Sequence, residues 1–383
     1  MPPLPPPDSA ALAHSDRLHQ LILQDIARQG GWIPFSRYME LALYAPGHGY
    51  YTAGARKFGA AGDFVTAPEI SPLFGRTLAR QVAQIMALST PHILELGAGS
   101  GKLAADILLE LERLDSLPER YSILEVSADL RERQQVLLQQ RAPHLYARVN
   151  WLDELPDSLS GAIIGNEVLD ALPVHLVRWR DGNIFERGVS SAGENFAWQD
   201  RPLQIPALQQ AAQRLNVPDD YLSEISLAAC GLITSLSERL AQGVMLFIDY
   251  GFGSNEYYHP QRNRGTLMCH YRHHAHDDPF FLVGLQDITA HVGFTAIAES
   301  AVDSGAQLLG YTTQAHFLIN SDITRLLQEV SPESLRDYLP LSAQIQKLTS
   351  PAEMGELFKV IALGKGLEHP LSGFLRGDLS RLL

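Results

Sequence analysis

Apolar and polar positions change rhythm several times along the chain, and each change marks an element. Between Ser15 and Gln29, Leu18, Leu21, Ile22 and Ile26 recur at helical spacing, and Gly30-Gly31 supplies the stop. The aromatic-rich stretch 33–51 reads as packing of a helical cap. The apolar run His92–Leu96 is too short for a helix. Gly97, Gly99 and Gly101 follow it, and Leu103, Ile107, Leu108 and Leu111 then return to helical spacing. Strand, tight turn and helix in that order open a doubly wound α/β sheet. Further strands are predicted over 121–125, 147–152, 161–165, 244–251, 307–313 and 358–363, with a helix from Ser127 to about Gln140. A hairpin over 174–189 turns at Asp181-Gly182. Helices are predicted over 224–241 and 287–300, with a helical insertion over 314–349.

This pattern predicts an α/β protein with a seven-stranded, mostly parallel, Rossmann-like sheet, an N-terminal helical cap and helical insertions. The expected boundaries are a disordered Pro-rich lead (1–14), a cap (15–88), a core (89–366) and a tail (367–383). The core is interrupted near 174–242, 254–285 and 314–350. No internal repeat is visible.

Composition narrows the chemistry. The formal net charge of −13 disfavours nucleic acid, whose binding needs Lys and Arg to replace phosphate counterions. Cys230 and Cys269 are too few for a disulfide framework and form no C-x-x-C pair, so a reducing, cytoplasmic setting is expected. The start, MPPLPPPDSAALAHSD, has neither a signal-peptide nor a transit-peptide pattern. No apolar run reaches transmembrane length, so no membrane insertion is expected. The block holding His259, His270, His273, His274 and His276 lacks paired cysteines or an H-x-x-x-H helix, and no metal site is predicted there. An active-site or substrate loop is the preferred reading.

The glycine turn discriminates among ligands. A phosphate loop needs a first glycine where Leu96 stands and a hydroxyl where Leu103 stands. A dinucleotide turn needs its third glycine at Lys102, one position later than Gly101. The remaining pattern, E-x-G-x-G-x-G from Glu95 to Gly101, resembles the first motif of class I S-adenosylmethionine (SAM) methyltransferases. Its glycines admit the methionine tail and ribose of that cofactor, and Glu95 suits the tail's cationic groups. Glu125, ending the second strand, stands where a carboxylate meets ribose hydroxyls in nucleotide-binding folds. Asp153, after the third strand, is a candidate for the adenine amino group. The fourth strand delivers Asn166, Glu167 and Asp170 to the ligand side of the sheet. On a helical turn Glu167 and Asp170 share a face, and their carboxylates match a guanidinium's forked donors. The segment Gly59–Glu69, small residues with two carboxylates, reads as a lid or ligand edge.

Longer stretches carry a more specific likeness. YMELALYAPGHGYY, GDFVTAPEIS, LELGAGSGKLAADIL, YSILEVS, GNEVLDALPV, DYGFGSNEYYHPQRNRGTLMCHYRHH, QDITAHVGFT and MGELFKV together resemble the MidA-like SAM-dependent methyltransferases. That family includes the mitochondrial complex I assembly factor, which methylates arginine in a subunit of the complex. The resemblance implies a class I fold, SAM as cofactor and a protein substrate with an accessible arginine, a respiratory-complex subunit among the candidates. It places Gly97, Gly99, Gly101 and Glu125 at the family's cofactor positions, and Asn166, Glu167 and Asp170 in its motif after the fourth strand. Gly293 departs from the family pattern, which has an acid there. His270 or His274 is a candidate proton acceptor. Two rival readings remain open: a methyltransferase for a small molecule or another residue type, and a SAM-binding assembly chaperone without catalysis.

Overall fold

The structure, a computed structural model, describes residues 4–53 and 65–383. Residues 1–3 of the expected lead and Gly59–Phe64 of the expected lid segment lie outside the described residues. The chain forms two compact units, each assembled from three stretches of sequence.

One unit comprises Val65–Leu169, Leu232–Gly251 and Phe294–Leu383. Its sheet strands are β1 (His92–Leu96), β2 (Arg120–Leu124), β3 (Val149–Leu152), β4 (Leu159–Asn166), β5 (Leu240–Phe252), β6 (Gln307–Thr313) and β7 (Phe358–Lys365), in spatial order β6-β7-β5-β4-β1-β2-β3. From β5 to β3 every pairing is parallel, whereas β7 runs antiparallel to both β5 and β6. Central β1 is covered on both faces, and four of its five residues are buried, which accounts for its unbroken apolar run. The sheet is mixed and counts eight strands, correcting the expected seven. The eighth is the two-residue Val292–Gly293, off that path, and it lay inside the stretch read as a helix from Asp287.

Helices α1 (Pro72–Leu88), α2 (Lys102–Arg113) and α3 (Ala128–Arg141) belong to the same unit. α1 starts sharply because Ser71 caps it, its hydroxyl accepting the Leu73 N–H at 3.2 Å, and a proline opens its first turn. Its buried side chains Leu78, Val82 and Ile85 join a core containing Ile93, Leu108, Ile164 and Leu246. Each such burial contributes about 1.5–3 kcal/mol against the unfolded chain. The expected cap of 15–88 is therefore two things: its last helix, α1, packs within the sheet unit.

The other unit comprises Met1–Phe64, Asp170–Gly231 and Phe252–Gly293. The hairpin His175–Arg180 and Asn183–Ala192 is extended by Trp32–Pro34, Tyr221–Ile225 and Asn195–Pro202 into a five-stranded antiparallel sheet. A second sheet pairs Met268–Tyr271 with His274–His276 and Asp287–Thr289. The first helix begins at Ser9, inside the expected lead, because Asp8 accepts the Ala11 N–H at 2.8 Å and fixes the N-terminus. Two helices start later than expected. Tyr221–Ile225 is a strand, with the helix starting at Leu227; Asp287–Thr289 is a strand, with the helix starting at Phe294. In both, ladder pairing to a sequence-distant strand overrides local helical spacing. Among the described residues no helix is long and apolar enough to cross a membrane.

Candidate active site

The site grows from the carboxyl end of β1. Gly97, Gly99 and Gly101 all lie in the left-handed region, with φ of 60°, 53° and 84°. A Cβ at Gly97 would meet Val168 Cγ2 at 3.2 Å, and one at Gly101 would meet Gln134 Cα at 3.1 Å. Glycine at the turn thus answers both backbone conformation and close approach. From the other side, Glu69 in the short helix Ala67–Ile70 accepts the Ser100 hydroxyl and binds Lys102 Nζ at 3.2 Å. The described end of the carboxylate-bearing segment is therefore docked on the turn.

Glu95 is buried in β1, and its carboxylate accepts the Tyr121 hydroxyl at 2.8 Å. Burial pushes its pKa up to about 7; the Tyr121 hydrogen bond opposes the rise and the nearby Glu125 carboxylate adds to it. Glu125 is also buried and raised by that burial. It accepts the Ser127 N–H at 2.9 Å and the Gln134 amide at 3.1 Å, and both bonds oppose the rise. Asp153 is placed differently: its side chain is 90% exposed and pairs with Arg131 at 2.7 Å. Arg131 also binds the carbonyls of Glu125 and Leu152, clamping the ends of β2 and β3.

At the end of β4, Asn166 Nδ2 donates to Glu167 Oε1 at 3.1 Å, while Asn166 Oδ1 is buried with no hydrogen-bond partner among the described residues. Glu167 has φ of +52°, unusual outside glycine, and its N–H is held by the Ile248 carbonyl at 2.9 Å. No helix forms between Glu167 and Pro173, correcting the expected helical turn: the left-handed Glu167 breaks the geometry that would stack positions three apart. Asp249, near the end of β5, carries no motif signal of its own in the sequence. It is buried and accepts the N–H groups of Val168 and Leu169, so it shapes the loop that follows Glu167.

Asp170 and His270 belong to the other unit. Buried Asp170 lies near Tyr51, whose hydroxyl donates to Asp287 at 3.0 Å and whose ring stacks on Tyr44 with centroids 5.5 Å apart. Burial first, then Asp287, Tyr44 and Asp170, hold the Tyr51 hydroxyl well above its ordinary pKa. His270 sits on the strand Met268–Tyr271, opposite Ala275 and Asp287; His274 is exposed and bonds the Arg272 carbonyl at 2.7 Å. Among the described residues no group of three His, Cys, Asp or Glu could hold a metal.

A mixed α/β sheet with a run of parallel strands and a glycine turn at the carboxyl end of its central strand defines the class of α/β proteins that bind nucleotide-like cofactors. The residues fit SAM: side chains at Gly97 and Gly101 would crowd Val168 and Gln134, and Asn166 Oδ1 offers an unspent acceptor to a cationic group. The SAM-dependent methyltransferase family matches residues 76–312, and the chain belongs to that family. A mouse protein arginine methyltransferase NDUFAF7, mitochondrial, is 30% identical over 87% of this chain and 81% of its own length. The Drosophila melanogaster homolog is 28% identical over 97% and 92%. A Burkholderia thailandensis protein crystallised with S-adenosyl-homocysteine is 50% identical, covers 100% of both chains and superposes with a TM-score of 0.97. The protein is a SAM-dependent methyltransferase.

Proposed function

We propose that this methyltransferase modifies an arginine side chain of a protein, with a respiratory-complex subunit among the candidate acceptors. The relatives named protein arginine methyltransferases support the acceptor type. The observation that carries the reading is Glu167. A non-glycine residue held at φ of +52° costs on the order of 1 kcal/mol, and such strain persists where surroundings enforce it, as the Ile248 carbonyl and Asn166 amide do here.

The Rossmann-like reading of the sheet suits this role, since the carboxyl ends of its parallel strands carry every cofactor candidate. Gly97, Gly99 and Gly101 admit the cofactor's tail, Asn166 Oδ1 and Glu95 meet its positive groups, and Glu125 takes the ribose. When bound, SAM supplies an electrophilic methyl group. Glu167 is assigned to the guanidinium, so that one nitrogen lone pair is turned to that methyl. As the new N–C bond forms and the old S–C bond breaks, the guanidinium must shed a proton, and a carboxylate accepts it. Cys230 and Cys269, which form no disulfide with each other, fit a reducing, cytoplasmic setting.

The test is transfer of labelled methyl from SAM into a lysate lacking this protein, separated into protein and small-molecule fractions. Label on an arginine of one protein band establishes the reading. Label only in small molecules replaces the acceptor, and SAM binding without any product replaces catalysis with a chaperone role.

A further inference from the structure

Gln134 lies on α3, away from every motif that suggested a ligand, yet it is fully buried and its amide is fully used. Nε2 donates to the Gly99 carbonyl at 3.0 Å and to Glu125 Oε2 at 3.1 Å, while Oε1 accepts the Trp151 indole N–H at 2.9 Å. An amide has two N–H donors, and both are spent here. The orientation is unambiguous: an indole N–H can only donate, and a flipped amide would face its oxygen toward a carbonyl and a carboxylate. One side chain therefore joins the glycine turn after β1, the acid at the end of β2 and the ring on β3.

We infer that Gln134 is a positioning residue that sets the plane of the Glu125 carboxylate for recognition of a vicinal diol. Glu125 is held at both oxygens, Oε1 by the Ser127 N–H and Oε2 by Gln134. The Val126 N–H bonds the same carboxylate, and two adjacent acceptor oxygens held in a fixed plane match two adjacent hydroxyls. The Gly101 position adds a steric half to the link, since a Cβ there would meet Gln134 Cα at 3.1 Å. The turn thus rests on the same residue that orients the acid. The inference depends on the assignment of Glu125 to the cofactor's ribose.

The experiment uses the full-length protein and two probes, S-adenosyl-homocysteine and its 2′-deoxy analogue, in calorimetric titration. Gln134→Met keeps length and apolar packing but removes both donors; Gln134→Asn, polar and shorter, serves if the first fails to fold. Expected is a loss of roughly tenfold or more in affinity for S-adenosyl-homocysteine, and a markedly smaller loss for the deoxy analogue. Turnover at saturating SAM should stay within a few-fold of wild type, because only ground-state cofactor binding is changed. Equal losses for both probes, or a fall in kcat at unchanged KM, overturn the inference. Glu125→Gln separates the premise: if it leaves discrimination between the probes intact, the ribose assignment itself fails, and Gln134 falls with it. Wild-type discrimination abolished by Glu125→Gln but untouched by Gln134→Met overturns the Gln134 role alone.

Discussion

Asp249 accepts the backbone N–H of Leu169 at 3.0 Å, and the same Oδ2 accepts the Val168 N–H at 3.2 Å. The other oxygen takes the N–H of Tyr250 at 3.0 Å. A side chain at the end of β5 therefore holds the backbone that leaves β4, immediately after the strained Glu167. Asp249→Ala removes a charged acceptor from three buried or half-buried donors, at a cost of about 2–3 kcal/mol in stability. Methyl transfer should fall much further than affinity for S-adenosyl-homocysteine if the loop carries, as proposed, the carboxylate that holds the acceptor. Parallel loss of both would assign Asp249 to cofactor binding instead.

Much of this architecture was written locally. β1, β2, β4, β5 and β7 are apolar runs bounded by turn residues, and the glycine turn announces its own conformation. What local pattern could not convey was partnership. The helix expected from Glu224 starts only at Leu227, because Glu224 lies in a strand and collects the Thr266 and Leu267 N–H groups and the Tyr257 hydroxyl from some forty positions away. Asp287 likewise belongs to a strand because Met268–Tyr271 pairs with it. Gln134 gave no sign: a glutamine on a mostly polar helix, its burial follows from Trp151 and Glu125 coming together around it. Asp153 shows the converse, a strand-end acid in the right place by count whose side chain turns outward to Arg131. The membership of the two units was equally illegible, because each is built from three separated stretches.

Gly99→Val tests the cofactor turn. Gly99 has φ of +53°, a conformation that a β-branched residue adopts only at a cost of on the order of 1–3 kcal/mol. The turn is short and bounded by a strand and a helix, so the fold should survive while the loop shifts. Calorimetry should show no measurable SAM binding, with a thermal transition retained. Undiminished affinity would remove the glycine turn from the cofactor site.

Glu167→Gln keeps shape and hydrogen bonding to Asn166 but deletes the charge. Affinity for S-adenosyl-homocysteine should remain within about threefold, while turnover drops on the order of a hundredfold or more, the signature of a group that acts on the acceptor. Turnover within a few-fold of wild type would show that Glu167 does not hold the guanidinium.

Glu95 predicts a pH-dependent stability. Its folded pKa of about 7 lies above the ordinary value of 4.5, so the folded chain keeps a proton that the unfolded chain has lost. Below about pH 4.5 the carboxyl is neutral in both states and costs nothing extra. Stability is lost as pH rises through the interval to about 7, and beyond it the buried charge costs about 3 kcal/mol. Glu95→Gln should therefore match wild type in denaturant midpoint near pH 4.5 and exceed it at pH 8. Cofactor affinity should move the opposite way, because the ionised carboxylate is the assigned partner of the cofactor's positive tail. A variant that is more stable at pH 8 yet binds SAM more weakly would show a site keeping a costly charge for its ligand. An offset in stability that is constant from pH 5 to pH 8 would show that Glu95 does not titrate in that range.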